Sequence, residues 1–295
     1  MIGLGLVGAG RMGLSHLAIA GAHPSIEIAA VCESAGPVVS ALRSYKSYPC
    51  VKSYERLLEL DGLDAVLVAT PTSSHAPMVR AALDKGLHVF VEKPFCLDPD
   101  DGADLADLAE AKGLVNQVGY HNRFVATFQE AKRLLDIGAL GEIYHVQGEA
   151  YGQVVTRPQT GTWRFKNAKE GGCLLDYASH VIDLMNYFLG PPSAVSGTVL
   201  QSIYSKAVDD AVYASLFYED GCTGQISVNW SDRTYRKMST KVALSGKDGK
   251  LVVDRQELRV YLSEARPDLG LEHGWNLRNI TELTKPVWYY LRGEE

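Results

Sequence analysis

The chain opens on a short apolar run, Ile2 to Val7, that passes straight into Gly8-Ala9-Gly10-Arg11-Met12-Gly13. That order predicts a strand, a tight turn and a helix, the start of a βαβ unit. Gly8 allows the turn and Gly10 lets the backbone approach a pyrophosphate. Gly13 lets the helix pack on the strand while its first N–H groups face the anion. The glycine spacing alone is weak evidence, because a chain with 28 glycines can produce it by chance. Its context is stronger. A second strand-like run, Ile26 to Cys32, leads to Glu33, 20 positions after Gly13. A carboxylate there can accept hydrogen bonds from both ribose hydroxyls and repels a 2′-phosphate, and Ser34 and Ala35 supply no arginine to hold one. The pattern predicts a dinucleotide site that favours NAD, with NADP the weaker candidate.

The strand–helix alternation continues through Ala65–Ala69, His88–Val91 and Val115–Val118, with helical stretches at Met12–Ala22, Val38–Tyr45, Tyr54–Glu59, Ala76–Lys85 and Pro99–Lys112. The unbroken apolar run Ala65-Val66-Leu67-Val68-Ala69 suits a strand covered on both faces. The expected fold class is α/β, with an N-terminal doubly wound parallel (Rossmann) sheet. After about Phe124 the pattern changes to helix Thr127–Asp136, strand Ile143–Tyr151 and a strong helix Cys173–Leu189. Strands follow at Ser193–Tyr204, Ala211–Tyr218, Gly224–Trp230, Met238–Ser245, Leu251–Asp254 and Leu258–Leu262. Glu219-Asp220-Gly221 and Lys247-Asp248-Gly249 read as hairpin turns between strands. A dinucleotide-binding domain over 1–122 and an α+β domain over 123–295, with one large and mostly antiparallel sheet, are expected.

The formal net charge is −6 and Lys and Arg form no cluster along the sequence, which together argue against nucleic acid as a partner. No apolar stretch approaches the ~18 residues of a membrane span. The start enters a strand at once rather than a leader peptide, so a cytoplasmic protein is expected. The five cysteines are scattered and form no C-x-x-C pair, so neither a disulfide framework nor a metal site is expected.

Three groups could carry chemistry. Thr70-Pro71-Thr72, with His75 close by, follows a strand at the edge where open α/β sheets bind ligands; an ordinary βα turn with a capping histidine is the competing reading. Glu92-Lys93-Pro94 ends another strand at the same edge. Lys93 there is either a surface lysine or an ammonium placed to stabilise a developing alkoxide. In the helix after Gly171-Gly172, a period of ~100° per residue puts Asp176, His180 and Asp183 on one stripe, opposite Leu174, Ala178, Val181, Ile182 and Met185. That stripe is either a solvated polar face or a carboxylate–imidazole pair able to act as a general base.

These motifs, in this order, resemble the Gfo/Idh/MocA family (glucose-fructose oxidoreductase, inositol dehydrogenase and MocA). The matching stretches are Gly8 to Gly13 with His16, Ala69-Thr70-Pro71 with His75, and Ala81-Ala82-Leu83 through Lys85-Gly86 and His88-Val89 to Glu92-Lys93-Pro94. Further on lie Gly119-Tyr120 with Arg123-Phe124, Gly138 to Ile143, and Gly171-Gly172 with Asp176, His180, Ile182, Asp183 and Gly190. The resemblance implies an NAD(P)-dependent oxidoreductase acting on a sugar, cyclic polyol or sugar derivative. By carry-over, Lys93 hydrogen-bonds the reacting hydroxyl, Asp176 anchors substrate hydroxyls and His180 takes the proton while nicotinamide C4 takes the hydride. Arg11, Met12, Thr70, Pro71, Thr72, His75, Glu92 and Lys93 join the three glycines and Glu33 at the cofactor, and Tyr120 and Arg123 are expected at the substrate. A cis peptide before Pro94 and a dimer or tetramer through the C-terminal sheet are also implied.

Two departures stand out. The family's glycine run is longer, and Cys173 stands at its third position; relatives also continue past the point matching Gly293-Glu294-Glu295 into a returning helix. Trp163 and Arg164 could wall a sugar site or pack a loop. Two alternatives remain open: a glycosidase or lyase of the same fold that oxidises its substrate only transiently, and a non-catalytic NAD-binding regulator.

Overall fold

A computed structural model describes residues 1–46, 48–156 and 171–284. The described residues divide into two compact units, the first running from Met1 to Gly119 and the second starting at Tyr120.

In the first unit the elements run β1 (Ile2–Val7), α1 (Arg11–Ala20), β2 (Ile26–Cys32), α2 (Gly36–Lys46), β3 (Cys50–Val51), α3 (Tyr54–Leu58), β4 (Ala65–Val68), α4 (His75–Asp84), β5 (His88–Val91), α5 (Pro99–Ala111) and β6 (Asn116–Val118). All strand pairs are parallel, in the order β3-β2-β1-β4-β5-β6. This is the doubly wound arrangement, and its direction of growth reverses between β1 and β4, where such sheets open a crevice for ligands. Val66, Leu67 and Val68 of β4 are buried, as expected of a central strand covered by helices on both faces. Helix α5 starts on Asp98, whose side chain accepts from the Asp100 amide, with Pro99 at the first helical position. Strand β3 escapes the sequence pattern because two residues show no period.

The second unit begins with a 3₁₀ turn, His121–Phe124, and α6 (Ala126–Asp136). It continues through β7 (Ile143–Tyr151), a π-helical turn Leu174–Ala178 and α7 (Ser179–Leu189). Strands β8 (Ala194–Gln201), β9 (Ala211–Phe217), β10 (Thr223–Asn229), β11 (Ser239–Gly246), β12 (Gly249–Asp254), β13 (Glu257–Leu262) and β14 (Gly274–Asn279) follow, with a final turn of helix α8 (Ile280–Leu283). The sheet order is β14-β13-β12-β11-β7-β10-β9-β8. Every pair is antiparallel except β7 with β10. One face alternates into a core with Phe128, Leu134, Leu184, Met185, Trp230 and Leu244. Helix α7 lies close on β7, since a Cβ on Gly148 would overlap Val181 and Met185. Strand β14 carries no buried residue, which is why its apolar alternation is faint in the sequence. Among the described residues no helix is long and apolar enough to cross a membrane.

One expectation needs correction. The continuous helix expected over Cys173–Leu189 starts as a π-turn, and its polar stripe is not a solvated face: His180 and Asp183 are 6% and 7% exposed.

Candidate active site

In the first unit the site is a cleft of about 360 Å³ at the carboxyl ends of the strands, lined by Gly8, Gly10, Glu33, Thr70, Pro71 and, unforeseen in the sequence, Lys52, among others. Gly8 has φ 88°, a conformation that only glycine adopts at little cost, and a Cβ on Gly13 would overlap the Gly8 carbonyl oxygen. Gly10 is different: a Cβ there meets nothing within 4 Å, so its backbone is open to a ligand. Gly10, Arg11 and Met12 are exposed at the start of α1, and no side chain caps that helix. These features fit a dinucleotide pyrophosphate.

Glu33 is seated on the glycine turn. Its Oε2 accepts from the Ala9 amide at 2.8 Å and its Oε1 from the Ala35 amide at 2.8 Å. Burial alone would raise this carboxyl, but the amides of Ala35, Ala9 and Ser34 outweigh it and hold the group below the usual carboxylate range. Glu33 is therefore charged at neutral pH, with lone pairs left for ribose hydroxyls. Among the lining residues, Lys52 is the other charged group. Because β3 pairs beside β2, Lys52 emerges next to Glu33's strand end, a placement that two strand residues could not signal in the sequence.

Thr70 and Pro71 line the cleft, while Thr72 is buried in a 3₁₀ turn and is not part of the lining. His75 is not part of the lining either. At 1% exposure its Nδ1 lies 2.9 Å from the Pro94 carbonyl oxygen and its Nε2 2.9 Å from that of Thr70, so it braces two loops. Glu92 is likewise engaged by protein. Its Oε1 lies 2.6 Å from His16 Nε2 and its Oε2 accepts from the Lys93 amide at 3.1 Å. Burial raises the Glu92 carboxyl, and the His16 bond and charge, with Lys93, more than offset this and hold it low. The helix behind the glycine turn is thus tied to the strand end that carries the half-buried Lys93. The Lys93–Pro94 peptide is cis.

In the second unit the site is built around His180. The Tyr120 ring stands edge-on to the imidazole, with centroids 6.1 Å apart and planes at 89°, and His121 packs on it at 5.4 Å and 71°. Tyr120 was expected here; His121 was not, because it falls between the two matching pairs Gly119-Tyr120 and Arg123-Phe124. Arg123 is committed to Asp183: its Nε donates at 2.9 and 3.0 Å and its Nη2 at 2.6 Å. That bond pushes the guanidinium further up, while burial pushes the Asp183 carboxyl up against the pull of Arg123. The pair fixes the Tyr120–Arg123 segment onto α7.

Asp176 lies in the π-turn and is half-buried. The turn is held by Asp209, whose Oδ2 accepts from the Leu174 amide at 2.7 Å and whose carbonyl accepts from the Cys173 amide at 2.9 Å. Cys173 is fully buried, and burial pushes its thiol well up. The departure at that position is thus a core packing choice, not a reactive thiol. Trp163 and Arg164 lie outside the described residues.

Comparison with known proteins agrees with this architecture. The profile described as "Oxidoreductase family, NAD-binding Rossmann fold" matches residues 2–120, and "GFO/IDH/MocA C-terminal domain" matches residues 128–252. The chain is 31% identical over 232 residues to the rhizopine catabolism protein MocA of Rhizobium meliloti, covering 76% of this chain and 70% of that one. It is 26% identical over 304 residues to levoglucosan dehydrogenase of Pseudarthrobacter phenanthrenivorans, covering 90% and 78%. Among solved structures, levoglucosan dehydrogenase in complex with NADH and levoglucosan superposes with a TM-score of 0.87 at 22% identity, over 97% of this chain and 83% of that one. The glycine turn, the Glu33 carboxylate seated on it and the two matched domains agree, and the chain belongs to the GFO/IDH/MocA family of NAD-binding oxidoreductases.

Proposed function

We propose that the protein is an NAD-dependent dehydrogenase or reductase acting on a secondary hydroxyl or ketone of a sugar, cyclic polyol or sugar derivative. Relatives support that substrate class: besides levoglucosan dehydrogenase they include the scyllo-inositol 2-dehydrogenase (NAD(+)) of Bacillus subtilis, 29% identical over 178 residues and covering 59% of this chain and 50% of that one. The observation that carries the reading is His180, an imidazole buried on a helix whose other buried positions are mostly apolar, in a chain whose Glu33 is poised on a dinucleotide turn.

NAD, when bound, supplies the hydride acceptor at nicotinamide C4. The chain's own residues do the rest. Lys93, as an ammonium, hydrogen-bonds the reacting oxygen and stabilises charge that develops there. His180 takes the hydroxyl proton in oxidation and returns it in reduction, and Asp176 anchors neighbouring hydroxyls. Arg123 serves by holding Tyr120 against His180 through Asp183, and Glu92 and His75 serve by fixing the loops around Lys93. Residues 1–122 form the dinucleotide-binding domain, and 123–295 bind substrate and self-associate as a dimer or tetramer through the open face of the large sheet.

Mixing the protein with NAD and a panel of polyols and sugars tests the reading. Stoichiometric accumulation of reduced nicotinamide is expected with at least one of them. Bond cleavage without accumulation would instead identify the transient-oxidation chemistry, and tight NAD binding with neither outcome a regulator.

A further inference from the structure

We propose that His121 is the proton outlet of the site, passing to solvent the proton that His180 collects. The inference rests on His180 acting as the base in alcohol oxidation. In that reaction the C–H bond breaks with its electron pair leaving as hydride to the nicotinamide, and the hydroxyl proton moves to an imidazole nitrogen of His180. The cycle closes only when that proton leaves.

His180 is a poor point of departure, because it is 6% exposed and a bound substrate covers it further. His121 is exposed, and its ring packs on that of His180 with centroids 5.4 Å apart and planes at 71°. At that separation a small ring rotation brings a nitrogen of one within hydrogen-bond reach of a nitrogen of the other, directly or through one water. An imidazole both accepts and donates near neutral pH, so it can take the proton from His180 and give it to water or buffer without any other change.

Of Tyr120, His121, Arg123, Asp176 and Asp183 in the second unit, His121 is the group suited to this route. Tyr120, which precedes the 3₁₀ turn, stands edge-on to His180, and a phenol is a weak acceptor at neutral pH. Arg123 and Asp183 are committed to each other, and Asp176, on the π-turn, is assigned to the substrate hydroxyls. The sequence gives no hint of the pairing, since 59 positions separate the two histidines.

The variants His121→Phe, which keeps a packed ring, and His121→Gln, which keeps polarity, separate proton transfer from packing. With the polyol that turns over best, both are expected to lose about tenfold or more in kcat in dilute buffer, within the usual span for a proton-transfer group. KM should stay within about twofold, because no substrate contact is removed. Added imidazole should restore the rate of both variants in a saturating manner and leave the wild type unchanged.

A second readout needs no substrate: the ring resonances of His180 are followed by NMR against pH in the NAD-free protein. Removing His121 is expected to move the His180 midpoint by about half a pH unit or more, since neighbouring titrating rings are coupled. A raised KM with unchanged kcat, a rate loss that imidazole does not rescue, or an unmoved His180 midpoint would overturn the outlet. Full activity of His180→Ala would instead overturn the reading on which it rests.

Discussion

On the proposed reading, Glu33 sets which dinucleotide the first unit accepts. Its carboxylate holds the Ala9 and Ala35 amides and lies below the usual carboxylate range, so it is ionised wherever the protein is folded near neutral pH. NAD affinity should therefore show no dependence on this group from pH 8 down to about pH 5, above the ordinary Glu value of about 4.3. Glu33→Gln removes the negative charge and leaves Lys52 as the charged group lining the cleft. That variant should bind NAD about tenfold more weakly, roughly 1.4 kcal/mol, and gain affinity for NADP, as read by fluorescence titration of the reduced cofactors. Lys93→Ala should cost 10² or more in kcat, on the order of 3 kcal/mol, with NADH affinity within a few-fold of wild type. Survival of turnover in that variant would remove Lys93 from the chemistry. Glu33 and Lys93 were legible in the sequence because each ends a strand at the ligand edge of a parallel sheet. Lys52 and His121 were not, since one follows a two-residue strand and the other meets its partner only through tertiary packing.

Among the elements, the β1–α1 junction and the β9–β10 region carry the sharpest structural constraints. A Cβ on Gly13 would overlap the Gly8 carbonyl, so Gly13→Ala must push α1 off the turn. The expected cost is about 1–3 kcal/mol in urea unfolding, together with loss of NAD binding. Asp210 is fully buried at the start of the β9 arm. Its carboxylate accepts from the amides of Ile203, Tyr204 and Ser205, the Ser205 hydroxyl and Trp230 Nε1. Burial would raise this group, but those bonds outweigh it and hold it below the usual range. Asp210→Ala leaves several buried donors without an acceptor and should cost about 3 kcal/mol or more.

A carboxyl depressed by folding contributes stability that is complete above its unfolded value of about 3.9 and is lost as pH falls through the lower folded value. Acid unfolding of the wild type should therefore be steeper below about pH 4 than that of Asp210→Ala, as followed by circular dichroism. Strand and helix periods revealed most elements to within a residue or two. The π-turn at Leu174–Ala178 was hidden, because it is imposed from outside by Asp209 holding the Cys173 and Leu174 amides.

For the molecule as a whole, the change from strand–helix alternation to hairpin turns marked the two-part organisation in the sequence. What remained out of reach was the order of strands in the large sheet, where the parallel β7–β10 pair joins segments far apart in the chain. Strand β14 leaves Trp275 and Leu277 60% and 55% exposed, with Tyr261 of β13 packed on Trp275 at 5.6 Å. Apolar rings and side chains grouped on a sheet face suit burial against a second copy. On the proposed self-association through this face, the double variant Trp275→Glu, Leu277→Glu should shift the mass seen by light scattering from dimer or tetramer to monomer. A monomeric wild type, or an unchanged mass, would count against self-association through this face.

The most direct test of the proposed chemistry follows a label. A polyol substrate carrying deuterium on its carbinol carbon is turned over with NAD, and the cofactor is analysed by mass spectrometry and NMR. One deuterium per oxidised carbinol should appear at nicotinamide C4, on a single face, and His180→Ala should abolish the transfer. Product formed with the deuterium lost to water, or with no reduced nicotinamide at the end of the reaction, would contradict hydride transfer to NAD as the net reaction of this protein.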